Sequence, residues 1–145
     1  MRALGSPPFI GALEGILQIA DILDTAGYIK AVAFRARILR EWLAFLETWP
    51  VVLAPVSVKP TWAFDADLQG HAAVRTLFEN DLRFNAAISV LGLPVATTPA
   101  GFANGAPIGV QLISSRYRED VCLDAAAAIE ARVGVLAHQL WAREA

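Results

Sequence analysis

The sequence predicts an α/β domain in which helices flank a partial mixed sheet. Segments with apolar residues at three- and four-residue steps, typical of helices, alternate with short continuous apolar runs, typical of strands. Of the 145 residues, 56% are hydrophobic and 18% are charged, whereas an ordinary soluble domain carries about 25% charged residues. Three short strands with two-sided apolar character are few for one sheet. We therefore expect part of a larger sheet, or a protomer that completes its sheet by association.

Two helices are predicted in the first third of the chain. After a loop over residues 1–8, apolar residues recur at helical spacing and predict one buried face, formed by Phe9, Leu13, Ile16, Leu17, Ala20 and Leu23. Asp21 and Asp24 are interpreted as helix-end acids, and Asp24-Thr25 can cap the next helix. That second helix is predicted over about 26–47, with an apolar stripe at Tyr28, Val32, Leu39, Trp42 and Leu46.

A strand, a loop and a third helix are predicted next. Trp49-Pro50 ends the second helix, because the residue before a proline avoids the helical region. The apolar run 51–54 predicts a central strand buried on both faces. Residues 56–69 are predicted to form an irregular loop, and residues 70–90 a helix with four inward residues, namely Val74, Leu77, Phe78 and Leu82.

The last third predicts a hairpin and a closing helix. A strand over about 95–98, ended by Pro99, is followed by the strong turn signal Asn104-Gly105 and a strand over 107–113. Gly109 inside that strand suggests close approach by another chain segment. A helix is predicted over about 119–132 with Gly134 just beyond it, and a further turn or two over 135–143. We interpret residues 1–145 as a single domain that includes the N-terminal helix within 1–24.

Composition argues against several classes of partner. The net charge is −2 and no basic run exists, so neither nucleic acid nor an anionic membrane is an expected partner. No window reaches the roughly 18 uninterrupted apolar residues of a membrane span. The single Cys122 excludes an intrachain disulfide, and His71 and His138 show no metal-ligand spacing. We expect no cofactor and no metal, and a cytoplasmic location, since the N-terminus does not read as a signal peptide.

The hairpin region carries a family resemblance. The run from Gly92 to Phe102 contains a Gly-x-Pro strand entry and a Pro-x-Gly ending, and the run from Gly105 to Ile113 contains Gly-x-Pro-x-Gly-x-Gln. Together with the helix and apolar strand upstream, these motifs resemble the closing part of the amidase-signature family over roughly residues 25–132. Two positions depart from the family pattern, Pro50 and Ser89, and neither is catalytic in the family.

The resemblance implies the C-terminal part of the amidase-signature fold. It also implies a parent activity, the hydrolysis of carboxylic amides to acid and ammonia through a serine nucleophile. The family uses that serine, a second serine in a cis peptide and a lysine base, all within a Gly/Ser-rich region that this sequence does not contain. A serine hydroxyl is a weak nucleophile until a base takes its proton. We therefore expect no catalytic residue in this chain and no activity from it alone.

The remaining polar residues have simple structural interpretations. Lys30 falls in a helical pattern and Lys59 in a loop, and the serine pair Ser114-Ser115 sits where serines commonly make local hydrogen bonds. Ser6, Ser57 and Ser89 have no assignable base. The loop acids Asp65 and Asp67 are interpreted as solvated rather than metal ligands, His71 as a surface residue and Cys122 as a small core residue.

One loop is a candidate for ligand contact. It follows the 51–54 strand, at the end of a strand where open α/β sheets form their crevices. Trp62 and Phe64 are predicted to lie at the rim of a pocket there, and the resemblance places this loop near the substrate channel. The alternative is that both rings only pack over the sheet edge.

Four functional hypotheses remain open at this point. The chain is a C-terminal amidase portion that lacks the catalytic residues, or one component of an enzyme completed by a separate N-terminal amidase polypeptide. Alternatively, it is a non-catalytic module that self-associates through an apolar face. The fourth hypothesis is an enzyme whose nucleophile has moved to one of the serines above.

Overall fold

A computed structural model describes residues 4–20, 22–59 and 61–142. The helix-end assignment of Asp21 lies outside this part of the chain, as does the end of the predicted 135–143 turn. The helices and strands follow one another as α1 (Pro7–Ile19), α2 (Thr25–Thr48), β1 (Val51–Pro55), a short 3-10 helix (Ala66–Leu68), α3 (His71–Thr76), a π segment (Leu77–Asp81), α4 (Arg83–Leu91), β2 (Val95–Ala103), β3 (Ala106–Ser114), α5 (Glu119–Val133) and α6 (Leu136–Trp141).

The described strands form one sheet in the order β1-β3-β2. Both pairings are antiparallel, with Val52 opposite Ile113 and Val95 also opposite Ile113. The predicted α/β class and partial sheet are confirmed, and parallel pairings are not among the described strands. The prediction that β1 is a central strand was wrong. It lies at an edge, where Leu53 is 58% exposed, because β3 takes the place between β1 and β2.

The β2–β3 hairpin has the two-residue turn that Asn104-Gly105 predicts. Ala103 pairs with Ala106, and both turn residues have positive φ, 52° and 82°, as a type I′ turn requires. Pro99 does not end β2 as predicted. The strand continues through an irregularity between Pro99 and Gly101, which absorbs the missing proline donor within an edge strand.

Helices cover the two faces of the sheet. On one face, α2 and α4 build the main core, whose buried residues are Leu39, Leu46, Ile88, Leu91, Leu93 and Ile113. On the other face, α5 packs across β2 and β3. Successive strand residues point to opposite faces, so Ile113 enters the first core and Leu112, 1% exposed, faces the side of α5.

Side chains satisfy backbone groups at two helix ends. The Asp24 carboxylate accepts a hydrogen bond from the Gly27 N–H at 2.7 Å and caps α2 as predicted. The Arg35 guanidinium donates to the Val90 carbonyl and, at 3.1 Å, to the Leu91 carbonyl. These are terminal carbonyls of α4 that lack helical partners. Arg35 thereby fastens α2 to the end of α4.

The predicted burial of the N-terminal helices was largely wrong. In α1, only Gly15 is buried, whereas Phe9, Ile16 and Leu17 are exposed, as is Leu23 beyond the helix. The first half of α2 is similar, since Tyr28 and Val32 are exposed while Leu39 and Leu46 are buried. Gly15 of α1 packs against Val74 of α3, but the apolar residues named above are exposed.

The helix predicted over 70–90 is interrupted in its middle. The Leu82 N–H donates to the Leu77 carbonyl, a five-residue step that replaces the four-residue step of an α-helix. Asp81, at the end of this π segment, is buried, and its carbonyl accepts from the Val58 N–H at 3.0 Å. The break therefore coincides with the point where the loop after β1 is attached.

Gly105→Ala is expected to destabilise the chain by about 1 kcal/mol, because a Cβ disfavours the positive φ of the turn. Gly11→Ala is the matched control. Gly11 lies inside α1 with no atom near an added Cβ, so alanine there should stabilise by about 0.5–1 kcal/mol. Urea denaturation followed by circular dichroism measures both changes. Equal effects of the two substitutions would contradict the turn assignment.

Candidate functional site

The loop that follows β1 is tied to the π segment at its centre. Besides the Val58–Asp81 backbone bond, the Lys59 ammonium lies 3.2 Å from Asp81 Oδ2. The Trp62 indole N–H donates to the same oxygen, also at 3.2 Å. The loop also makes an internal turn, in which the Ser57 hydroxyl accepts from the Lys59 N–H at 3.1 Å. Three contacts to one residue hold the loop in place.

Asp81 is the electrostatic centre of this site. Its side chain is only 6% exposed, whereas that of Lys59 is 56% exposed. A buried carboxylate is costly unless it is paired and hydrogen-bonded, and the two donors from the loop supply both. The Lys59 ammonium balances the negative charge of the carboxylate, and the Trp62 indole N–H supplies its hydrogen bond.

Two cavities flank the loop, and Lys59 and Trp62 line both of them. The first measures about 440 Å³ and lies between the loop and α3, where Asp81 is part of its wall. The second measures about 470 Å³ and lies between the loop and the β2–β3 hairpin. Its wall is mainly apolar, formed by Pro55, Val56, Ser57, Val58, Lys59, Trp62, Thr97, Ala103, Ile108, Gly109 and Val110.

Gly109 belongs to the wall of the second cavity. A Cβ added there would lie 3.5 Å from the Thr98 carbonyl oxygen and 3.8 Å from side-chain atoms of Thr97 and Val56. These are ordinary van der Waals distances, so the close approach predicted for Gly109 was wrong. What the glycine does instead is keep one side of the cavity open.

The two aromatic residues predicted at a pocket rim occupy different places. Trp62 is partly exposed at 41% and stands between the two cavities. Phe64 is 93% exposed and is not among the residues that line either cavity. For both residues, a role at the rim of a substrate pocket stays a prediction.

The lysines and serines do not assemble into a catalytic group. Lys30 is exposed on α2. Lys59 faces a carboxylate, whereas a general base must face the proton of its nucleophile. Ser114 is buried and donates to the Pro50 carbonyl at 2.7 Å, which links β3 to the start of β1. Ser89 donates to the Asn85 carbonyl one helical turn earlier.

Cys122 is a core residue, as predicted. It is 2% exposed, and its thiol donates to the Pro94 carbonyl at 3.5 Å. Burial raises the pKa of the Cys122 thiol above its ordinary value of 9.0, and the nearby charge of Glu119 acts in the same direction. A thiol held neutral is a poor nucleophile. We therefore assign Cys122 a packing role in the contact between α5 and the sheet.

Acidic and histidine side chains are dispersed over the described surface. Across residues 4–20, 22–59 and 61–142, no three His, Cys, Asp or Glu side chains come together where a metal ion could bind. No helix in those ranges is both long and apolar enough to cross a membrane. Asp65 has a left-handed backbone at φ 56° before the short 3-10 helix, and both Asp65 and Asp67 are exposed.

Sequence reasoning missed Asp81, the residue that organises the site. The periodicity over 70–90 places it in a continuous helix, where an exposed acid would be unremarkable. The available signal was the pair Asn80-Asp81, since both residue types favour turns over helix interiors. Its contact with Lys59 and Trp62, 19 to 22 residues earlier, has no periodic signature in the sequence.

Most of the chain matches known proteins in sequence. Residues 10–123 match the family model described as Amidase. The chain is 48% identical over 141 residues to an indoleacetamide hydrolase of Bradyrhizobium japonicum, a match that covers 97% of this chain and 30% of that protein. It is 37% identical over 117 residues to a subunit of the glutamyl-tRNA(Gln) amidotransferase of Streptococcus equi subsp. zooepidemicus, which covers 81% of this chain and 23% of that relative.

These matches confirm the resemblance carried by the hairpin motifs. They also give the share of each relative that this chain covers. The chain spans less than a third of the length of the curated relatives described above, and it corresponds to their C-terminal part.

The raised pKa of Cys122 predicts a pH dependence of stability. Folding favours the neutral thiol, so its contribution is fully present below pH 9.0, the ordinary thiol value, and is lost as the pH rises through the raised value. The free energy of unfolding of the unmodified chain should therefore fall more steeply above pH 9.0 than that of Cys122→Ala. Urea denaturation at several pH values measures this. Parallel pH profiles would show that burial does not perturb the thiol.

Proposed function

Because the chain belongs to the amidase family, we propose that it supplies the C-terminal scaffold and one pocket wall of a carboxylic-amide hydrolase. The serine nucleophile, the second serine and the lysine base of that enzyme come from an N-terminal amidase segment. This chain holds the sheet, attaches the loop after β1 and presents Trp62 to the substrate. By itself it is expected to be inactive.

The observation that carries this proposal is the uncovered apolar surface. The apolar face of α1, the first half of α2 and the outer edge of β1 are exposed, although their periodicity is that of buried elements. Contiguous exposed apolar surface commonly marks an interaction site. The relatives contain more than twice as much additional chain as this one spans, which is ample material to cover it.

The relatives and the cavity together support one substrate class. The name of the Bradyrhizobium relative states that it hydrolyses indoleacetamide. The second cavity has a mainly apolar wall with Trp62 at one side. Aromatic rings gain from offset or edge-on packing against one another. We propose an aryl-substituted acetamide as the substrate, with its ring in this cavity.

In this proposal the chemistry divides between the two parts of the enzyme. The N-terminal segment performs nucleophilic attack, and its backbone N–H groups stabilise the oxyanion. The residues of this chain bind and orient the ring of the substrate, which reduces the freedom of the amide carbonyl before attack. They also exclude water from the apolar side of the pocket. A cytoplasmic location is part of the same proposal, consistent with a single buried cysteine.

Self-association is the second candidate. The same exposed apolar faces and the two outer sheet edges, on β1 and β2, would also suit a second copy of the chain. In that case the chain would be a stable oligomer with no need of an amidase partner. The two candidates differ in what covers the surface, so one experiment separates them.

The test combines the chain with the remaining N-terminal part of the Bradyrhizobium indoleacetamide hydrolase. We expect no ammonia release from indoleacetamide by either part alone, and release by the two together or fused. Effective molarities from correct positioning are large, so the combined activity should exceed the sum of the parts by at least about a hundredfold. Ammonia release and size-exclusion chromatography with light scattering are measured together.

The control replaces the nucleophilic serine of the N-terminal part by alanine, which should abolish release without preventing assembly. Release by this chain alone, together with labelling by a serine-directed probe, would instead support a relocated nucleophile. A monodisperse oligomer of the chain that neither binds nor is disrupted by the N-terminal part would support the self-associating module.

A further inference from the structure

One carboxylate oxygen organises both walls of the candidate pocket. Asp81 Oδ2 forms an ion pair with the Lys59 ammonium and accepts a hydrogen bond from the Trp62 indole N–H, each at 3.2 Å. Those two side chains are also shared by the two cavities. Lys59 and Trp62 separate the two cavities, and both side chains are substantially exposed. Their positions therefore depend on the contacts with the buried Asp81 carboxylate more than on packing against neighbouring side chains.

The geometry of the π segment is what makes this possible. Asp81 presents its carbonyl to Val58 and its carboxylate to Lys59 and Trp62, so both polar groups serve the same loop. In an uninterrupted α-helix the Asp81 carbonyl would accept a hydrogen bond from the N–H group four residues later. The π segment leaves this carbonyl available to the Val58 N–H, and such insertions occur frequently at functional sites.

We propose that Asp81 is a positioning residue that fixes Trp62 between the two cavities and thereby sets the preference of the pocket for flat aromatic amides. With the indole held, the second cavity is a slot between the loop and the β2–β3 hairpin, opened on its far side by Gly109. With the indole released, the two cavities merge, and a flat ring loses one wall. This inference rests on the proposed amide-hydrolase function.

The alternative is that the Asp81 contacts only stabilise the fold. The two roles separate on substrate size, because a small aliphatic amide does not reach the wall that Trp62 forms, whereas an aryl amide does. A purely structural defect would lower the activity toward both substrates in the same proportion. A positioning defect raises KM for the aryl amide and leaves kcat closer to its starting value.

The first arm of the test needs no activity. In ¹H–¹⁵N spectra of the ¹⁵N-labelled chain, the four tryptophans give four indole N–H signals, and Trp62→Phe identifies that of Trp62. Asp81→Ala removes the acceptor and should shift this signal alone among the four. Asp81→Asn keeps one acceptor oxygen and should shift it less. Glu79→Gln, which removes an exposed ion pair with Arg75 in the same segment, is the matched control and should leave it in place.

The second arm uses the enzyme reconstituted with the N-terminal part of the Bradyrhizobium relative. Asp81→Ala should raise KM for indoleacetamide about tenfold, because the released indole no longer forms one wall of the slot. The KM for a small aliphatic amide should change by less than about twofold. Gly109→Ala, whose Cβ meets only ordinary contact distances, should narrow the slot and raise KM for the aryl amide selectively.

The outcomes distinguish the failure of each idea. If the Trp62 signal does not respond to Asp81→Ala, or responds equally to Glu79→Gln, the positioning role is wrong whatever the enzyme does. If it responds and the reconstituted enzyme loses both substrates equally, the contact is structural and the specificity role is wrong. If the reconstituted enzyme is inactive before any substitution, the proposed function fails and the specificity role falls with it. Should Asp81→Ala not fold, Trp62→Ala replaces it in the second arm, with the same selective rise in KM expected.

Discussion

The placement of β3 between β1 and β2 is the constraint on which the rest of the structure depends. Every described strand pairing includes β3, and its last residues are among the most deeply buried of the chain. Ile113 joins the α2–α4 core, while Gln111 donates to the Pro55 carbonyl and Ser114 to the Pro50 carbonyl. These two side chains bracket β1 at both ends. The loop that leaves β1 therefore starts from a fixed point, and further along it Trp62 donates to Asp81.

The balance between covered and uncovered apolar surface connects this fold to its function. One half of α2 packs against α4 and the sheet, whereas the other half is exposed. In α1, which contacts α3, Phe9, Ile16 and Leu17 are exposed as well. Burial of an apolar side chain contributes about 1.5–3 kcal/mol, so an uncovered helix face forgoes a large share of the stability available to it. A chain with such exposed apolar helix faces is suited to bury them against another polypeptide segment.

Much of this could be predicted from the sequence, and the misses share a cause. Local signals were dependable: Asn104-Gly105 predicted the turn, Asp24 the cap and Cys122 the small core residue. Strand order was not, because apolar residues on both faces of β1 do not specify which strands are its neighbours. In the same way, the apolar periodicity of α1 does not specify which segment would cover its face. At the site, Trp62 was named as a candidate from the sequence, and its role stays a prediction. Asp81 was missed, since a buried acid that pairs with a loop about 20 residues earlier leaves no pattern in sequence spacing.

The central claim is that the exposed faces of α1 and of the first half of α2 are completed by an N-terminal amidase segment. Hydrogen–deuterium exchange of the chain, alone and with that segment, tests this most directly. We expect β3 to be protected in both states, since its amides are paired on both sides, and α1 with residues 25–35 of α2 to gain protection only in the complex. Equal exchange of these helices with and without the segment, while β3 stays protected, would contradict the claim.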